Sequence, residues 1–137
     1  MKKYEFLPHT ADVKFRAYGK TMGEAFSNAA LALTEVITDY NKVEPKVEKT
    51  IEVSSEDEKA LLYDFLEQFI VLLDSESFLL NSIKEIKIEG NKLRAVIIGD
   101  TAVDKYKTET HIKAVTYQEM EIKKEKDKYM LQVVLDL

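Results

Sequence analysis

Cysteine and tryptophan are absent from these 137 residues, glycine occurs four times and proline twice. Without cysteine there is no disulfide framework, thiolate nucleophile or zinc knuckle, so any bound metal must be held by oxygen or imidazole. Four glycines are too few for a phosphate-cradling loop, and G-x-S-x-G, G-x-x-x-x-G-K-[ST] and H-E-x-x-H are all missing. No apolar run approaches the length of a membrane span, and Met1-Lys2-Lys3-Tyr4-Glu5 is not followed by a signal-peptide core, so a cytoplasmic protein without membrane contact is expected. Surplus positive charge is also lacking: 20 Lys and Arg against 25 Asp and Glu leave a net charge of -5. A chain that grips a nucleic-acid backbone needs a basic face, so direct stable nucleic-acid binding is not expected. The lysines at 123, 124, 126 and 128 alternate with Glu121, Glu125 and Asp127 and read as a solvated hairpin.

What is present is a composition 45% hydrophobic, enough for one domain over 1–137 with one core. Tyr4 to Leu7 reads as a short strand stopped by Pro8, and Asp12 to Tyr18 as a half-buried strand with Val13, Phe15 and Ala17 inward. Thr21 and Glu24 form a capping box for a helix running to about Asp39. A loop over Asn41 to Glu48 and a strand over Val47 to Ser54 follow, then a second capping box, Ser55 and Glu58. It opens the most amphipathic helix, which reaches about Asp74. The remainder is mostly β: Phe78 to Ile88, a turn at Glu89-Gly90-Asn91, Leu93 to Ile98, an ambiguous piece over Asp104 to Thr110, then Ile112 to Lys123 and Tyr129 to Leu137. The expected fold class is α+β, with both helices packed on a mixed, mostly antiparallel sheet.

Chemistry is left to oxygen and imidazole. Pro8-His9-Thr10-Ala11-Asp12 joins a turn proline, a titratable ring and a carboxylate at the start of a strand, and Asp136 closes the last strand, facing away from its main apolar row. Two carboxylates brought together repel, and a hard cation such as calcium, magnesium or manganese relieves that repulsion. Each residue also has a plainer reading. Asp12 suits a local turn acceptor, His9 and His111 turn or surface imidazoles, and Asp136 a solvated charge. Lys113 offers an ion-pair partner for either aspartate or an ammonium for a phosphate, and Tyr117 suits a core position or an interface anchor.

Five segments taken in order, Pro8-His9-Thr10-Ala11-Asp12-Val13, Glu24-Ala25-Phe26-Ser27-Asn28-Ala29-Ala30, Leu72-Leu73-Asp74-Ser75-Glu76, Ile112-Lys113-Ala114-Val115-Thr116-Tyr117 and Val134-Leu135-Asp136-Leu137, resemble the archease family. That family is the small protein partner of the GTP-dependent RNA-splicing ligase that seals tRNA exons. The resemblance implies a strand-helix-strand-strand-like fold and a non-catalytic protein that promotes guanylylation and repeated turnover of the ligase. It further implies a divalent cation on Asp12, Asp136 and a main-chain oxygen of Leu137, with Lys113 required nearby. After Tyr117 the family often carries His where this chain has Gln118, which leaves His9 as the nearer imaginable imidazole behind the cation ligands. The rival readings are a metal-dependent hydrolase or nuclease using the same aspartates, and a general chaperone or modulator.

Overall fold

The computed structural model describes residues 1–137. In chain order the elements are β1 (Tyr4–Leu7), β2 (Val13–Gly19), α1 (Met22–Ile37), β3 (Val47–Ser54), α2 (Glu58–Glu76), β4 (Leu79–Glu89), β5 (Lys92–Asp100), β6 (Ala114–Glu125) and β7 (Lys128–Asp136), with 3-10 turns at Tyr40–Lys42 and Val103–Lys105. All pairings are antiparallel. The α+β arrangement is the one read from the sequence, but the strands divide into two sheets, β1-β2-β7-β6 and β3-β5-β4, rather than forming one mixed sheet. The hairpins β4–β5 and β6–β7 form locally, whereas β2 finds β7 and β3 finds β5 only through the tertiary fold, so alternation within a strand carries no sign of its partner.

Both helices cover the inner faces. Phe15, Phe26, Phe65, Phe78, Leu131, Val133 and Leu135 belong to one buried cluster of 30 residues contributed by both sheets and both helices. Helix α1 is seated on β2 and β4, and α2 lies on β6 and β3. The alanines at 25, 29, 30 and 32 permit that close seating. Gly19 permits it too, since a Cβ there would lie 2.3 Å from the Ala25 nitrogen.

Helix ends follow their capping chemistry. Thr21 Oγ1 accepts the Glu24 N–H at 3.1 Å and opens α1 as expected. The helix stops at Ile37, two residues before the expected limit, because Thr38 is extended and Asp39 instead caps the following 3-10 turn through the Asn41 N–H. The cap of α2 is Asp57, not Ser55: the Asp57 carboxylate accepts the Ala60 N–H at 2.8 Å, and the Ser55 hydroxyl donates to Asp64 at 2.6 Å. An aspartate adjoining the first helical residue outcompetes a hydroxyl two positions earlier. The far end of α2 turns on Ser77 at φ 57, where the Ser77 and Phe78 N–H groups satisfy the Leu73 and Leu72 carbonyls.

Candidate functional site

One end of the four-stranded sheet gathers the residues singled out above. The ladder pairs Val13 with Leu135 and Ala114 with Asp136, so the chain leaving Asp12 into β2 lies beside Asp136 at the end of β7. Lys113 continues the same row, its N–H donating to the Asp136 carbonyl at 2.8 Å. Phe15, Ala17, Val133 and Leu135 are fully buried on the inner face, which fixes the register. A slip of one residue would turn all of them outward. Asp12, Asp136, Leu137 and Lys113 are thus brought to one sheet end, and His9 lies in the same loop as Asp12, its Nδ1 3.9 Å from Asp12 Oδ2. His111 is exposed in the segment leading to Lys113. The Pro8–Asp12 turn is strained at Ala11, a non-glycine residue at φ 64. Such a conformation costs ~1–3 kcal/mol and persists only where the surroundings impose it.

The residue that the sequence did not disclose is Glu119. Between the pairs Thr116–Val134 and Glu121–Gln132, β6 runs through residues 117 to 120 while β7 supplies Val133 alone. This wide bulge holds Glu119 at φ 52. Met120 is turned into the core, while Glu119 meets the outer face, accepting from Lys14 Nζ and His9 Nε2, each at 3.0 Å. Gln132, buried among neighbours on β7, ties the bulge down. Its amide nitrogen donates to the Glu119 carbonyl at 2.8 Å, and its amide oxygen accepts from Arg16 Nε at 2.9 Å. A polar network therefore runs across the outer face from Arg16 through Gln132 and Glu119 to His9, ending beside Asp12. No glycine or proline marks the bulge, and only the unusual backbone of Glu119 betrays it.

The electrostatics follow from this geometry. The His9 ring and then the Lys14 ammonium hold the Glu119 carboxyl below the usual carboxylate range. An ionised carboxylate only accepts, so His9 Nε2 carries the proton of that hydrogen bond. In the neutral ring this leaves a lone pair on Nδ1, a buried nitrogen with no hydrogen-bond partner, close to the Asp12 carboxylate. A lone pair beside a carboxylate is relieved by positive charge. The carboxylates of Asp12 and Asp136 and the Leu137 main-chain oxygen are hard donors of the kind that calcium, magnesium or manganese takes. No three His, Asp or Glu side chains are grouped as metal ligands.

Comparison with known proteins bears on the whole chain. The model of the Archease protein family (MTH1598/TM1083) matches residues 4–137. The chain belongs to the archease family. Protein archease of Thermococcus kodakarensis is 42% identical over 143 residues, with 100% of both chains covered. That of Pyrococcus abyssi is 41% identical at the same coverage. The solution structure of Methanobacterium thermoautotrophicum protein 1598 matches with a TM-score of 0.86 at 38% identity over 100% of both chains. The crystal structure of a Thermotoga maritima archease, described as a possible chaperone, has a TM-score of 0.66 at 24% identity, covers 96% of this chain and 94% of its own, and shares the fold. As the archease resemblance had implied, two helices pack on antiparallel sheets. No helix of this archease-family chain is long and apolar enough to cross a membrane.

Proposed function

We propose that this archease-family protein is a non-catalytic activator of the GTP-dependent RNA-splicing ligase, acting in the cytoplasm to promote guanylylation and repeated turnover of the ligase. Asp12, Asp136 and the main-chain oxygen of Leu137 hold a divalent cation, with Lys113 beside them. The observation that supports this reading is the ladder itself, which sets Val13 against Leu135 and Ala114 against Asp136 and so gathers residues from both ends of the chain. Membership of the archease family supports this choice of reaction. When bound, a divalent cation supplies charge neutralisation and orientation for phosphoryl groups. The aspartates bind it, Glu119 holds the His9 ring beside Asp12, and the Lys113 ammonium is free to meet a triphosphate or an acidic group of the ligase. A net charge of -5 lets the protein approach a basic RNA-binding enzyme without competing for its RNA.

The test is guanylylation of the ligase by labelled GTP, followed over several turnovers with wild type, Asp12→Ala, Asp136→Ala and Lys113→Ala proteins. Calcium and manganese titrations of the isolated proteins are run alongside. Each substitution is expected to abolish repeated turnover, and the two aspartate variants to lose cation binding. Full activity of both aspartate variants would refute the mechanism. Incubation of the protein alone with RNA, nucleotides and manganese is expected to leave all of them unchanged; hydrolysis would put the metal-dependent hydrolase or nuclease in its place.

A further inference from the structure

Tyr117 is 54% exposed at the start of the β6 bulge. Its ring stacks on Tyr63 of α2 with centroids 4.5 Å apart and planes at 11°. A parallel stack on the surface presents one broad π-face at little conformational cost, because each ring immobilises the other. The charges acting on it are acidic, from Asp64, Asp57 and Glu56 around the start of α2. Partial burial raises the Tyr117 hydroxyl above its ordinary value, and Asp64, Tyr63, Asp57 and Glu56 add to the rise, so these groups act on one locus.

We infer that the Tyr63–Tyr117 stack and the acidic start of α2 form a docking platform for an arginine-bearing segment of a protein partner. A guanidinium is planar and weakly hydrated, so it can lie on an aromatic face while its N–H fork reaches carboxylates, which a compact ammonium does less well. A phosphate backbone would be repelled by the same carboxylates. A second copy of this chain is also a poor occupant. It carries only two arginines, Arg16 held by Gln132 and Arg94 paired with Glu85, and its net charge of -5 opposes self-association. The platform lies in the same strand as Ala114, which pairs with Asp136, so a partner seated on it is led toward the acidic sheet end. Naming the ligase as that partner rests on the function proposed above; the arginine chemistry does not.

The experiment therefore uses two probes. An amidated peptide Gly-Arg-Gly-Arg-Gly and its lysine analogue are titrated into the full chain by two-dimensional NMR, and the ligase is titrated by calorimetry and guanylylation. The arginine peptide is expected to shift resonances of Tyr63, Asp64 and Tyr117 and to bind more tightly than the lysine peptide. Tyr117→Ala and Glu56→Lys should each weaken it about tenfold, whereas Tyr117→Phe keeps the stack and the binding. With the ligase, Tyr117→Ala should raise the concentration for half-maximal guanylylation about tenfold and leave the saturated rate unchanged, opposite to Asp12→Ala. Peptide shifts centred elsewhere, or equal binding by Tyr117→Ala, would overturn the inference while leaving ligase activation standing. Peptide docking at Tyr117 without any ligase response would sink the ligase reading instead.

Discussion

Replacing Gln132 by leucine tests whether the β6 bulge is tied down from β7. Gln132 is 4% exposed and makes two hydrogen bonds, one to the Glu119 carbonyl and one from the Arg16 guanidinium. A neutral bond of this kind contributes about 1 kcal/mol net and one to a charged group about 1.5–3 kcal/mol. Arg16 is only half-buried and can recover a water partner, so the lower end applies and the sum is about 2.5 kcal/mol, roughly 70-fold in the folded-to-unfolded ratio. Urea unfolding should show that loss at an unchanged slope, and the thermal midpoint should fall by about 6–10 °C. Hydrogen exchange across residues 116–121 should accelerate more than in the rest of the sheet. Gln132→Glu separates the two bonds: it keeps an acceptor for Arg16 but sets an oxygen against the Glu119 carbonyl, so the bulge should loosen while the Arg16 contact survives. If Gln132→Leu stays within about 0.5 kcal/mol of wild type and bulge exchange is unaltered, the bulge is held by something else.

Two further outcomes test the core and the second polar cluster. Phe65 is fully buried, 5.8 Å from the Phe26 ring and edge-on to Phe69 at 5.1 Å, so Phe65→Ala should cost ~3–5 kcal/mol in denaturant unfolding. A loss below about 1 kcal/mol would mean that α2 is not the packing centre. The Tyr106 hydroxyl donates to Asp100 at 2.5 Å, and this bond above all holds the Asp100 carboxyl below its ordinary value; Lys105 does the same for Glu44. A carboxyl lowered in the folded state stabilises it above the unfolded pKa, and that contribution disappears as the pH falls through the folded value. The stability difference between wild type and Tyr106→Phe should therefore be full near neutrality and narrow below about pH 4. A difference that stays constant down to pH 3 would contradict the assignment.

The sheet end that carries the candidate site was legible because strand alternation is a local property. Val13, Phe15 and Ala17 fix the direction of β2, and Leu131, Val133 and Leu135 fix that of β7, leaving Asp12 and Asp136 at strand ends. That the two ends meet was supplied by family resemblance, since pairing of β2 with β7 is a long-range choice that no window of sequence contains. The division into two sheets was hidden for the same reason. Ser55 was read as a cap because the S-x-x-E spacing ignores competition from Asp57, which stands nearer the first turn. Gln118 drew notice for the imidazole it lacks, yet the bulge turns the next residue, Glu119, toward His9.

The candidate site therefore has two supports of unequal strength. Placement of Asp12, Asp136 and Lys113 is set by main-chain ladders backed by fully buried Phe15, Val133 and Leu135, so it should withstand any single change on the outer face. Orientation of His9 rests on Glu119, which is exposed, sits on an unfavourable backbone and is anchored through one amide of Gln132. Surface ion pairs alone contribute only ~0–1 kcal/mol, so the Lys14 and His9 contacts add little to that anchor and to the burial of Met120. Loss of Gln132 should then spare the meeting of the aspartates while releasing the imidazole beside them. Cation affinity in such a variant, compared with Asp12→Ala, separates what the ladder provides from what the bulge adds.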